Sequence, residues 1–235
     1  MTSRRDDFLG RLTMESRTTP PKMFFASLLA GGLQFAIAIV LFGGWRAFAS
    51  HPALIALIVF TLAMMCIAPF SNVNLNSGEK EDRANRWVFV VFGVIALASA
   101  LIPPYADRVG FWTIDGDTTR WIGVAVYVLG GALRLYPVFI LGRRFSGLVA
   151  IQSDHQLETR GIYSVIRNPS YLGMIVNLIG WGLAFRGWTG VVIAFLLLIP
   201  LVGRIRSEER LLREHFGSQY DEYCTRSWRL IPGLY

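Results

Sequence analysis

Charge is scarce in this chain. Asp, Glu, Lys and Arg make up 17% of its 235 residues, against 53% hydrophobic ones, and mean hydropathy is +0.45. A soluble globular domain carries roughly a quarter charged residues, so that class is excluded. Cysteine is scarcer still: Cys66 lies in an apolar run and Cys224 near the end of the chain. So few and so far apart, they match no zinc spacing and no disulfide scaffold, and both are expected as reduced thiols with no metal site. Internal repeats and low-complexity tracts are also missing. Acidic residues number 16 against 23 basic ones, leaving a formal charge of +7. The basic residues form no cluster on a soluble domain and instead flank apolar segments, which points to membrane orientation and away from nucleic acid.

Phe (16), Trp (7) and Gly (23) are plentiful, as expected where rings sit at lipid interfaces and small residues let helices approach. Apolar stretches run over 24–45, 53–70, 87–103 and 121–141, each near the roughly 20 residues that cross a bilayer core. The first follows a basic start and ends near an A-x-A pattern at Ala47–Ala49, but it exceeds the roughly 7–15 residues of a signal-peptide core. It is read as a retained membrane helix. A last run, 172–202, is apolar except for Asn177 and Arg186. Arg186-Gly187, with Trp181 and Trp188 nearby, splits it into a hairpin. The expected fold is an all-α, polytopic integral membrane protein of about six membrane helices, the last two a helical hairpin, plus a cytoplasmic C-terminal helix. On that count 18 Lys and Arg fall on one side and 4 on the other, with Arg134 inside a span. The positive-inside rule then places both termini in the cytoplasm, in a bacterial-type inner membrane or its equivalent. The expected divisions are a polar N-terminal segment over 1–23, N-terminal membrane helices over 24–118 and a core over 119–235. That core contains a polar loop, 142–171, and a helix, 204–216.

Several residues stand out chemically. Arg134 is ionisable within a span, two residues before Tyr136-Pro137, which suggests function or an ion pair; the alternative is snorkelling toward Arg143 and Arg144, roughly 13 Å along the helix. The stretch 155–173 is dense in donors and rings, with His155, Tyr163, Arg167 and Tyr171 between the punctuation of Gly161 and Asn168-Pro169. Together these fit a small, flat, charged ligand. On the C-terminal helix, winding at about 100° per residue puts Ile205, Leu212 and Phe216 on one stripe with Arg204 and Glu208 on its flank. Charges there need partners, of which an i,i+4 ion pair is the simplest. Asp107, Asp115 and Asp117 make the third loop acidic, and it is expected to be external and solvated.

The pattern H-x-L-x-x-x-G-x-Y-x-x-x-R-N-P-x-Y-x-G at 155–173 resembles the isoprenylcysteine carboxyl methyltransferase family and its relatives, the phospholipid N-methyltransferases. It is followed by R-x-x-x-E-E at 204–209 and F-G-x-x-Y-x-x-Y at 216–223, with Leu141-Gly142, Phe145-Ser146 and Arg134 upstream. The resemblance covers roughly 120–230. It implies an integral membrane enzyme using S-adenosylmethionine from the cytosol. By motif position, Gln152, His155, Gln156, Leu157 and Glu158 would border the cofactor, with backbone near Leu157 facing the adenine. Tyr163 and the turn Asn168, Pro169, Ser170 and Tyr171 would complete the pocket. Glu208 would anchor the cofactor through its ammonium or ribose. Arg204 would face the acceptor, with Arg134 a second candidate for that role. Asn168 departs from the eukaryotic pattern, which has His before the proline; Asn hydrogen-bonds but does not titrate. No strand-flanked G-x-G-x-x-G occurs, so a soluble Rossmann methyltransferase is not the comparison.

A carboxylate acceptor is ionised at neutral pH and needs no general base, which favours a lipophilic or lipidated carboxylic acid entering from the membrane, with membrane lipids as surroundings. Lipid N-methylation and small-thiol S-methylation are the alternatives on this scaffold. An NADPH-dependent sterol-type reductase and a non-catalytic membrane protein or transporter are the alternatives from other classes.

Overall fold

A computed structural model describes residues 21–67, 80–81, 87–141, 150–151 and 157–235. The first helices are α1 (Pro21–Phe42), the short α2 (Trp45–Ala49) and α3 (Pro52–Ile67), followed by α4 (Trp87–Val109) and α5 (Asp117–Leu141). Then come a 3-10 turn (Gly161–Ser164), α6 (Pro169–Ala184), α7 (Trp188–Leu196), α8 (Leu198–Phe216) and α9 (Ser218–Thr225). One two-residue antiparallel ladder interrupts this helical plan: β1 (Lys80–Glu81) pairs with β2 (Ala150–Ile151) inside the polar loop. Two helical stretches, Val90–Val109 and Trp188–Phe216, are long and apolar enough to cross a membrane; Leu28–Phe42 and Pro52–Ile67 are apolar but shorter.

Glycine spacing sets the centre of the bundle. A Cβ on Gly123 would lie 2.1 Å from the backbone nitrogen of Ala184, and one on Gly130 would lie 2.2 Å from that of Asn177. From the other helix, a Cβ on Gly180 would meet the nitrogen of Tyr127 at 2.2 Å, and one on Gly173 the nitrogen of Arg134 at 2.5 Å. All four pairs share one antiparallel register, so α5 and α6 touch backbone to backbone along their length. Only residues without a side chain permit that approach. Asn177 Nδ2 then reaches the carbonyl of Tyr127 at 2.8 Å. At the loop end the same register sets Arg134 against the first turn of α6, where Ser170 Oγ donates to the Arg134 carbonyl (3.3 Å).

Proline explains the remaining irregularities. Pro103 and Pro104 lie inside α4, and Pro103 has no N–H for the carbonyl of Ser99 four residues earlier. Trp181 Nε1 donates to that carbonyl instead, at 2.8 Å. The indole is 2% exposed and packs with Phe35 and Phe185 at 5.4 and 5.0 Å between ring centroids. It centres a core that includes Phe42, Phe48, Leu54, Leu57 and Tyr127. Pro200 acts alike in the last arm, where the helix is interrupted at Leu197 and resumes at once. The C-terminal helix expected at 204–216 therefore begins at Leu198, as a continuation of the apolar arm. The 172–202 run does break at Arg186-Gly187: α6 ends at Ala184, Arg186 takes φ 49° and α7 starts at Trp188.

Asp107 corrects the reading of an acidic, solvated third loop. α4 continues past its two prolines to Val109 and carries Asp107 inward, where it is 5% exposed. The Asp107 carboxylate accepts from Arg120 Nη1 at 2.5 Å and Nη2 at 3.3 Å. It also accepts from Arg186 Nε at 3.0 Å and Nη2 at 2.8 Å. Arg120 Nη1 donates in addition to the Ala184 carbonyl at the end of α6 (3.0 Å). One carboxylate thus ties α4, the start of α5 and the hairpin turn together. Asp115 and Asp117 are exposed as expected.

Candidate functional site

At the other end of the bundle, Pro169 opens α6 in the first-turn position where its missing N–H costs nothing. That start places Tyr171 against α8. Arg204 Nε–H donates to Tyr171 Oη at 2.5 Å and to Glu208 Oε1 at 3.1 Å. Tyr171 O–H donates to the same Glu208 oxygen at 2.5 Å, and the Arg204 guanidinium lies 5.8 Å from the centre of the tyrosine ring. Arg204 and Glu208 sit one helical turn apart, so the i,i+4 pair expected from the sequence is present. Its third member comes from another helix. Arg134 lies within electrostatic reach of both Tyr171 and Arg204. Among the described residues Arg134 has no carboxylate partner, and it is solvent-exposed. Among the described residues, two guanidiniums and one carboxylate meet at this end.

The neighbouring glutamate does something else. Glu209 is 3% exposed and accepts from Arg167 Nε at 3.1 Å and Arg229 Nε at 2.8 Å. Arg167 Nη1 also donates to the carbonyls of Cys224 (3.3 Å) and Ser227. Arg167, expected among the ligand donors of the loop, instead fastens the loop to the C-terminal tail, because the buried Glu209 requires a cation. Asn168 behaves likewise: its Nδ2 donates to the Arg229 carbonyl at 2.8 Å. Tyr163 is 7% exposed, and its carbonyl accepts from Tyr223 Oη at 2.6 Å. Burial lifts the Tyr223 phenol to about 12 and pushes Tyr220 up as well. The hydrogen bond to Glu209 holds the Arg229 guanidinium protonated above its ordinary range.

Of the residues singled out in the sequence, Arg134, Ser170, Tyr171, Arg204 and Glu208 come together. Leu157 and Glu158 are half-buried on the approach to the 3-10 turn, with Glu158 Oε1 accepting from the Arg160 N–H at 3.2 Å. Gln152, His155 and Gln156 lie outside the described residues. The bridging role of the Tyr171 hydroxyl and the anchoring role of Glu209 were not read from the sequence. For Glu209 a signal existed: at about 100° per residue it falls on the same stripe as Ile205, Leu212 and Phe216, nearer its centre than Glu208. A carboxylate on a buried stripe demands a buried cation.

Residues 121–214 match the isoprenylcysteine carboxyl methyltransferase family, and this stretch holds every member of the Tyr171 cluster. Protein-S-isoprenylcysteine O-methyltransferase B of Arabidopsis thaliana is 32% identical over 118 residues, 48% of this chain and 60% of that protein. The Dictyostelium discoideum protein-S-isoprenylcysteine O-methyltransferase is 32% identical over 154 residues, 60% of this chain and 61% of that one. The Saccharomyces cerevisiae enzyme of the same name is 36% identical over 114 residues, 47% of this chain and 48% of that one. The matched stretches thus span about half to three-fifths of these relatives' lengths. A solved structure of a eukaryotic intramembrane Ras methyltransferase, an isoprenylcysteine carboxyl methyltransferase, aligns over 98% of this chain and 90% of its own, with 17% identity and a TM-score of 0.47. On these sequence matches, residues 121–214 of this chain are similar to the isoprenylcysteine carboxyl methyltransferase family.

Proposed function

We propose that this chain is an S-adenosylmethionine-dependent membrane methyltransferase that esterifies a carboxylate on an isoprenylcysteine-like or otherwise lipophilic acceptor. It is an integral membrane protein by its family and its two long apolar helices. The finer topology belongs to the proposal: six crossings, with both termini and the Tyr171 cluster on the cytoplasmic side, as the basic residues distribute. The observation that carries the reading is the placement of two arginines in the cluster. Among the described residues Arg204 pairs with Glu208, and Arg134 lies within electrostatic reach of Arg204 and Tyr171; two guanidiniums so placed suit a carboxylate acceptor.

The residues fit a sulfonium donor. The Glu208 side chain is 22% exposed, against 4% for Glu209, so one of the two adjacent carboxylates faces an opening and suits an ammonium or a ribose. Gln152, His155, Gln156, Leu157 and Glu158 border the donor in this reading, and Tyr163 and 168–171 complete its pocket. Bound there, S-adenosylmethionine would supply an electrophilic methyl, whose transfer to a carboxylate oxygen breaks the carbon–sulfur bond with the electron pair left on sulfur. Arg204, with Arg134 behind it, orients the acceptor carboxylate, and Tyr171 keeps Arg204 and Glu208 in fixed relation. Such alignment supplies the larger part of the acceleration of a displacement between two bound reactants. No base is required, in keeping with Asn168 at the position before the proline.

The test supplies methyl-labelled S-adenosylmethionine with a prenylcysteine analogue or, separately, with membrane lipid. Label released as methanol by mild alkali from the prenylcysteine sample is the expected result. Alkali-stable label in the lipid sample would overturn the carboxylate reading in favour of N-methylation.

A further inference from the structure

The tail folds back beneath the 157–168 segment and lines an open cavity of about 470 Å³ with no part in the Tyr171 cluster; its walls include Arg167, Arg226, Arg229, Ser227, Trp228 and Tyr235. Three of these are arginines, and their carboxylate partners are few. Among the described residues Glu209 serves both Arg167 and Arg229, so these three side chains together carry a net positive charge although the Arg167 side chain is only 9% exposed. Arg226 forms an i,i+4 ion pair with Glu222 at 3.7 Å, both side chains largely in solvent, where screening leaves the guanidinium able to take a second anion. Excess positive charge beside a cavity is stabilised by an anion that enters it.

The rim says where that anion comes from. Trp228 lines the cavity and is 46% exposed, with Ile231 at 37% and Leu234 at 77% close by in sequence. This is no frayed end. The Trp228 N–H donates to the Val165 carbonyl and its carbonyl accepts from the Arg167 N–H, both at 2.8 Å. The Leu230 N–H donates to the Tyr235 carbonyl at 2.7 Å. A free phosphate would use the arginines but leave the apolar rim unexplained. A lipid accounts for both, because guanidiniums hold its phosphate while an indole and aliphatic side chains sit at the depth of the headgroup and first methylenes.

We infer that this cavity binds the phosphate of an anionic membrane phospholipid, with Trp228, Ile231 and Leu234 seated at the headgroup level. The site is separate from the proposed methyl-transfer chemistry and is tested without reference to activity. The full chain in mild detergent is presented with equal phosphatidylglycerol and phosphatidylcholine, and the lipid retained is read by native mass spectrometry. Wild type is expected to retain phosphatidylglycerol preferentially. Arg226→Gln, an exposed change that leaves the Glu209 network intact, should cut that preference about fivefold. Trp228→Ala should lower retention of either lipid, and Glu222→Gln should raise that of phosphatidylglycerol. Equal retention of the two lipids by wild type, or an unchanged preference in Arg226→Gln, overturns the inference. A rise in melting temperature with inorganic phosphate, without phosphatidylglycerol retention, also overturns it and leaves a simple anion site.

Discussion

The two ends of the bundle are built from the same materials to different ends. At the hairpin end, Asp107 receives four hydrogen bonds from Arg120 and Arg186 and is almost wholly shut from solvent. At the loop end, Glu208 shares one oxygen between Arg204 and Tyr171 and stays partly open, while Arg134 has no carboxylate partner among the described residues. The first cluster is closed around its charges and serves to hold helices. The second is partly open, which is what the proposed ligand site requires. The α5–α6 glycine register links the two, since both Arg120 and Arg134 ride on α5 and are fixed by one helix contact.

Breaking the closed end should have the largest effect. Asp107→Ala removes the buried carboxylate shared by two guanidiniums, leaving Arg120, among the described residues, only the exposed Asp117 at 3.4 Å, and is expected to cost about 3–5 kcal/mol, seen as loss of monodisperse folded protein in detergent. Glu209→Ala should cost nearly as much by stranding Arg167, with the thermal transition reporting it. Its neighbour sharpens the contrast: Glu208→Ala should melt like wild type yet bind S-adenosylhomocysteine about 30-fold more weakly by calorimetry, as befits a lost charged hydrogen bond. Wild-type binding by Glu208→Ala would sink its proposed role. Tyr171→Phe keeps the ring over Arg204 and removes the hydroxyl bridge, so a drop of about fivefold in turnover with little change in melting is expected. The smallest effect is in the tail. Tyr223 has its folded-state value raised from 10.0 to about 12 by burial. The neutral phenol is the form the fold favours, so its contribution is whole below pH 10 and declines as pH rises from 10 toward 12. Tyr223→Phe should flatten that decline in pH-dependent melting while losing about 1 kcal/mol with the bond to the Tyr163 carbonyl.

Much of the local plan was legible in the sequence. The break at Arg186-Gly187, the apolar lengths of the helices and the shared flank of Arg204 and Glu208 follow from hydropathy and a 3.6-residue period. The motifs at 155–173 and 204–209 carried the resemblance to the family whose model matches residues 121–214. Asp107 was misread because its chain neighbours resemble a loop; that α4 runs through two prolines became visible only when Trp181 was seen to serve the Ser99 carbonyl. Whether Arg167 serves a ligand or the fold stayed open in the sequence because its partner lies 42 residues away on α8.

The sequence by itself therefore determined which segments are apolar helices, where they turn and which side chains share a face, because those properties depend on residues within a turn or two of each other. Only the tertiary structure decided which of two adjacent glutamates is sealed and which is open, which arginines are consumed, and that Tyr171 joins Arg204 to Glu208. Those outcomes depend on backbone contacts between α5, α6 and α8, where the absence of a Cβ at four glycines fixes the register and a side chain's partner is set by whichever helix packs against it.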